Sequence, residues 1–195
     1  HVDLTNTDFI AFVHKNRNSL EEINISLIEK MQNDYHNVTM SDYINYTYDR
    51  RKGGWKALHY FMEKGLTESL LEGFQLYMKY NNPNSTANFP SIETVCRFIH
   101  NAGGKAILAH PGRVIGEDSL PMFNQMLRKV MSYGLDGIEC YYPSHSKDIT
   151  LACIDYCKEN NLIITCGSDC HGSFEETEIG EMKIPIEELY LGELY

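Results

Sequence analysis

Asp169 and His171 are separated by one residue, and glycines flank the pair at 167 and 172. At the end of an extended segment, residues i and i+2 point the same way, so a carboxylate and an imidazole can approach one cation or two neighbouring ones. A mixed oxygen and nitrogen pair suits zinc, manganese or iron better than calcium, which takes oxygen ligands only. A second cluster reads Ala109-His110-Pro111-Gly112-Arg113, and a third reads Tyr141-Tyr142-Pro143-Ser144-His145, with Glu139 just ahead of it. The planar fork of an arginine is suited to an anion such as phosphate. Each signal is weak alone. A single histidine at a strand end is more often a hydrogen-bonded surface or core residue, and aspartate also caps helices. Glu139 is read as facing the helices or pairing with a base, not as a ligand. Cys166 and Cys170 are read as core packing, because no second pair stands at finger-like spacing. His14, His59 and His100 fall on predicted helices as surface or satisfied residues. The run Arg50-Arg51-Lys52 is read as a solvated turn rather than a phosphate clamp.

The elements around these clusters change character along the chain. The first ninety residues predict helices. Phe9, Ile10, Phe12, Val13, Leu20, Ile23, Leu27, Ile28 and Met31 form an apolar stripe near helical period. Ser41 is expected to cap a short helix through Tyr48. After Gly53-Gly54, a helix over 55–64 closes at Gly65, and Thr67 caps another reaching Tyr80. The turn-rich stretch Asn81 to Pro90 marks the boundary between a helical subdomain, 1–88, and a second domain, 89–195. Beyond it, helices alternate with short apolar strands at 105–109, 137–142 and 162–165. That alternation predicts a parallel sheet or part of a (β/α) barrel, for which three strands are too few, since about eight are usual. Carboxyl ends of parallel strands share one face, so the three clusters are expected to converge there.

Composition sets outer limits. The 195 residues carry 17 Lys plus Arg against 27 Asp plus Glu, a net charge of −10. That balance lacks the basic footprint of a duplex-binding or polybasic membrane-surface protein, yet permits a cation-loaded site for anionic substrates. No apolar run reaches the ~20 residues of a spanning helix, and no signal peptide is legible. The six cysteines are read as mostly reduced, buried thiols, which points to the cytoplasm. The aromatics Tyr43, Tyr46, Tyr48, Trp55, Tyr60 and Phe61 could stack on a base, but at helical spacing they read first as core.

Taken together, the segments 103–113, 134–145 and 165–172 resemble the second half of a PHP (polymerase and histidinol phosphatase) domain, in family order and at compatible spacing. The likeness covers residues 91–175. The stretch from Tyr48 to Gly65 is similar to the helical insertion of the family's phosphoesterase branch. The resemblance implies an α/β fold: part of a distorted (β/α)7 barrel plus a helical insertion, and the helical segment is read as a lid or side subdomain. It implies His110, Asp169 and His171 as metal ligands for a two- or three-metal cluster, and Arg113 and His145 near the substrate phosphate. The family's opening His-x-His pair has no counterpart in this sequence, and His1 is read as a remnant rather than a ligand. The expectation is therefore the C-terminal portion of a metal-dependent phosphoesterase. It would hydrolyse phosphomonoesters or phosphodiesters of a nucleotide, short oligonucleotide or metabolite. The isolated chain would hold zinc, manganese or iron weakly or not at all and be inactive, and exposed barrel edges would favour a homo-oligomer. The alternatives are a non-catalytic PHP scaffold and an amidohydrolase. The three retained ligand-type residues argue against the scaffold, and the amidohydrolase lacks a strand-end lysine.

Overall fold

A computed structural model of the chain describes residues 2–80, 88–116, 119–174 and 176–192. The predicted linker at 81–87 lies outside the described residues. Two compact units are present. Among the described residues, one gathers 13–80, 88–89, 171–174 and 176, and the other gathers 2–12, 90–116, 119–170 and 177–192.

The helical unit contains most of α1 (Thr7–Met31), then α2 (Met40–Asn45), a single 3-10 turn at Arg50–Lys52, α3 (Lys56–Glu63) and α4 (Gly73–Tyr80). The apolar stripe of α1 buries Ile23, Leu27, Ile28 and Met31 against Tyr43, Leu58, Tyr60, Phe61 and Leu76. Burial of polar tips requires partners. The Tyr60 hydroxyl donates to Asp42 at 3.2 Å, and the Tyr77 hydroxyl donates to Asn24 at 2.5 Å. Burial pushes the Tyr43 and Tyr77 phenols well above their ordinary range.

Two expected helix starts differ. Thr39, not Ser41, caps α2, accepting the Asp42 N–H at 3.1 Å, and the helix stops at Asn45 rather than Tyr48. Gln32 also accepts the Met40 N–H, so a tertiary contact moves the cap forward. The helix ending at Tyr80 starts at Gly73, not after Thr67. Residues 68–72 instead close on themselves, with the Glu72 carboxylate accepting the Glu68 N–H at 2.7 Å.

In the α/β unit, β1 (Ile107–Leu108), β2 (Gly137–Tyr141) and β3 (Ile163–Cys166) form a parallel sheet in the order β1-β2-β3. Around it run α5 (Ile92–Asn101), α6 (Pro111–Ile115), α7 (Leu120–Met131) and α8 (Lys147–Asn160). Ser91, Ser119 and Ser146 cap α5, α7 and α8 by accepting main-chain N–H groups. The core joins Ile138 and Cys140 of β2 to Phe123, Leu127, Cys153 and Cys157. All six cysteines are free thiols, four of them buried.

β1 is shorter than the predicted 105–109. Asp136 displaces the ladder at its start, accepting the Ala106 N–H at 2.7 Å and meeting His100 at 2.7 Å. A register break between Glu139 and Tyr141 bulges β2 against β3. No described helix is long and apolar enough to cross a membrane.

Candidate active site

The parallel sheet brings its carboxyl-terminal ends to one face, and each end carries a polar group. His110 follows β1 by two residues, Tyr142 follows β2 directly, and Asp169 follows β3 by three. His110 Nε2 lies 4.0 Å from Asp169 Oδ2, and Arg113 Nη1 lies 3.8 Å from the same oxygen. The Tyr142 hydroxyl joins the two sides. It accepts from Arg113 at 2.9 Å and donates to Asp169 at 3.3 Å. His110, Arg113 and Asp169 therefore meet as the strand-end topology predicts.

Backbone strain marks the same positions. His110 (φ 32°) and Asp169 (φ 54°) both occupy left-handed conformations. Such geometry is uncommon for residues other than glycine and concentrates at functional sites. His110 is also the residue that leads into α6, where Pro111 sits at the first helical position and has no N–H to lose. His110 Nδ1 is buried with no partner among the described residues. An unsatisfied buried nitrogen is costly, about 1–3 kcal/mol, and calls for an explanation.

Glu139 has a structural task that sequence reasoning did not find. Its Oε2 accepts the His110 N–H at 2.8 Å, and a Cβ at Gly167 would lie 2.1 Å from its Oε1. The carboxylate thus ties β2 to the turns after β1 and β3, and Gly167 is glycine because that carboxylate passes over it. The signal was plain alternation along β2: Ile138 and Cys140 enter the core with the helices, which leaves Glu139 on the opposite face rather than toward the helices.

His145 has both ring nitrogens engaged. Nδ1 lies 3.1 Å from the Cys140 carbonyl, and Nε2 lies 3.0 Å from the Gly112 nitrogen. Only the neutral tautomer with hydrogen on Nδ1 donates to the carbonyl while accepting the Gly112 N–H. His145 therefore fastens the start of α6, from which Arg113 projects. Burial, then the Glu139 carboxylate, push the Cys166 thiol up, which agrees with its reading as a packed side chain rather than a thiolate ligand.

His171 takes its contacts from the helical unit. Its ring stands edge-on to Phe174 with centroids 6.2 Å apart. Its carbonyl packs on Gly53, where a Cβ would come within 1.5 Å of the oxygen, and a Cβ at Gly172 would lie 2.6 Å from the Arg51 carbonyl. Both glycines have positive φ. The Arg50–Lys52 turn is thereby seated against the segment that bears His171. Arg51 itself pairs with Asp49 at 2.8 Å at an exposed position, and holds that carboxyl below the usual range.

A divalent cation fits the chemistry of this donor set. His110 and Asp169 offer one nitrogen and one oxygen close together, and the histidine has an unpartnered buried nitrogen. Among the described residues, no group of three His, Cys, Asp or Glu side chains is placed to hold a metal ion.

No family model matches the chain. Over 89 residues, 46% of the chain, it is 33% identical to a phosphoribosyl 1,2-cyclic phosphate 1,2-diphosphodiesterase of Eggerthella lenta. Over 117 residues, 60% of the chain, it is 26% identical to a 3',5'-nucleoside bisphosphate phosphatase of Chromobacterium violaceum. The matches span 31% and 40% of the lengths of those relatives. In fold, 92% of the chain aligns with 64% of a protein of Bifidobacterium adolescentis described as a metal-dependent phosphoesterase, with TM-score 0.66 and 19% identity. The chain is a relative of phosphoesterases, on a mixed α/β fold with a small parallel sheet.

Proposed function

We propose that the chain carries part of a PHP-type, metal-dependent centre that hydrolyses phosphomonoesters or phosphodiesters of a small molecule or nucleotide. The observation that supports this best is the juxtaposition of His110 and Asp169, 4.0 Å apart, each on left-handed backbone at a parallel strand end. His110 and Asp169 would hold a divalent ion, together with ligands beyond these two. Bound there, such an ion supplies a Lewis acid for phosphoryl oxygens and lowers the pKa of a bound water.

The chain's own residues orient the phosphate. Arg113 presents its fork of donors beside Asp169, where it offers positive charge to the phosphoryl oxygens. Tyr142 fixes the separation of Arg113 and Asp169 by bonding both. His145 acts as a positioning residue through the Gly112 N–H, and Glu139 through the His110 N–H. Two ligand side chains are too few to retain an ion firmly against water, so the isolated chain is proposed to bind metal weakly and to be inactive.

The test measures metal content and hydrolysis of an aryl phosphate and a bis-aryl phosphate with manganese, zinc or iron. It uses this chain and the longest natural polypeptide that contains it. The longer protein is expected to turn over at least one substrate, and Asp169→Asn to lower the rate at least 100-fold. Full activity in Asp169→Asn would overturn the proposed centre. Tightly bound, stoichiometric metal in the chain alone would overturn the weak-binding clause.

A further inference from the structure

The helical unit contains an open cavity of about 910 Å³, within the range that small-molecule sites occupy. Its lining comes from three stretches of this unit: one face of α1, the segment 44–50, and the start of α3. The cations on it are Arg17, Arg50 and Lys56, with His14 alongside. Among the described residues, the one carboxylate on the lining is Glu21, which is already engaged in accepting from Asn24 at 3.2 Å. In a chain of net charge −10, three cations against one carboxylate is a strong local inversion of charge. Neither Arg17 nor Arg50 makes an ion pair with a described residue, and both are exposed. Lys56 is held differently, donating to the Ile44 carbonyl at 3.1 Å and lying over the Tyr43 ring.

Trp55 lines the same cavity and is 43% exposed, unusual for the largest apolar side chain. It is nevertheless held in place. Its indole N–H donates to the Tyr77 hydroxyl at 3.0 Å, and its ring stands edge-on to Phe74 at 5.1 Å. Tyr48, also on the lining, stacks on His59 at 4.4 Å. Fixed aromatic surfaces beside unpaired guanidinium groups recognise a planar ring joined to an anion.

We propose that this cavity binds a nucleoside monophosphate, with its base against Trp55 and its phosphate met by Arg17 and Arg50. The site uses none of the strand-end residues of the α/β unit and needs no metal. It therefore stands whether or not the proposed hydrolytic centre does.

Trp55 is the single tryptophan of the chain and lines this cavity, so its emission reports a ligand bound there. The experiment titrates the chain with adenosine 5'-monophosphate, ribose 5-phosphate and inorganic phosphate in the presence of a chelator. It is repeated on Arg17→Ala/Arg50→Ala, whose fold is checked by circular dichroism. Saturable quenching by the nucleotide at sub-millimolar concentration, weakened at least tenfold in the double variant, is expected. Ribose 5-phosphate and inorganic phosphate are expected to bind at least tenfold more weakly. No quenching by millimolar nucleotide overturns the site. Quenching unchanged in the double variant overturns the phosphate assignment, and equal binding of inorganic phosphate overturns the base assignment.

Discussion

At the strand ends of the α/β unit, His110 and Asp169, the residues proposed to hold a cation, keep their side chains on left-handed backbone. In the helical unit, the Arg50–Lys52 turn is seated by Gly53 and Gly172, which have no side chain to keep. Under the proposed function, the first arrangement accepts strain because the imidazole and carboxylate serve the cation there. The second avoids strain because what matters is main chain lying on main chain. The cores differ in parallel. The helical unit packs large aromatics, of which Tyr60 and Tyr77 have hydroxyl partners and Tyr43 has none among the described residues, while the α/β unit packs small thiols beside aliphatic side chains. A position that bears chemistry tolerates a poor backbone, and a position that bears only contact cannot tolerate an added methyl.

The sharpest way to break this contrast is Gly53→Ala. The new Cβ would overlap the His171 carbonyl, so the turn must separate from its support. A loss of about 3 kcal/mol or more is expected in urea unfolding followed by Trp55 emission. A loss below about 1 kcal/mol would show that the turn is not seated as described.

Core truncation gives a graded comparison of the two units. Phe61→Ala is expected to cost about 3–5 kcal/mol, because Phe61 is fully buried among rings. Cys153→Ala, equally buried, removes one sulfur and is expected to cost about 1 kcal/mol. Equal losses would mean that the aromatic core does not carry the helical unit.

At His110 the usual order of substitutions should invert. Alanine is ordinarily more stable than glycine, but at φ 32° it meets the left-handed penalty. His110→Gly is expected to exceed His110→Ala in stability by about 1 kcal/mol, read from thermal midpoints. The same inversion is expected at Asp169, which also has positive φ.

The smallest effect concerns acid. Lys64 beside Asp42 holds the Asp42 carboxyl below its usual 3.8. A depressed carboxylate contributes stability above its unfolded pKa, and that contribution disappears as pH falls through the folded value. Asp42→Asn should therefore be slightly less stable than wild type near pH 6, and the difference should shrink as pH falls below the carboxyl's ordinary 3.8. A difference that persists in acid would point to the Tyr60 hydroxyl bond instead.

Much of the α/β unit was legible because its signals are local. Ser91 and Ser119 precede apolar periodic runs and do cap α5 and α7. The three strand ends converge because parallel order fixes their common face. What stayed hidden depends on partners distant in sequence. Asp136 shortens β1 from 30 residues away, Gln32 helps to move the start of α2 to Thr39, and Glu139 accepts the His110 N–H from 29 residues away. Tyr142 was legible only as part of a motif, since its bonds to Arg113 and Asp169 arise from folding. The reason for Gly53 was likewise invisible, because the carbonyl it accommodates lies 118 positions onward in the chain.

All six cysteines fall between residues 96 and 170, and the single tryptophan stands at position 55. Each unit thus carries its own chemical clock. The hydrogen bond with the neighbouring Cys157 sulfur, then burial, push the Cys140 thiol up, so it stays protonated and shielded until the α/β unit opens. Pulse alkylation then times the opening of that unit, while indole emission times the other, in one sample without any label. If the two units melt as one, the clocks keep a common rate; if either frays alone, they part.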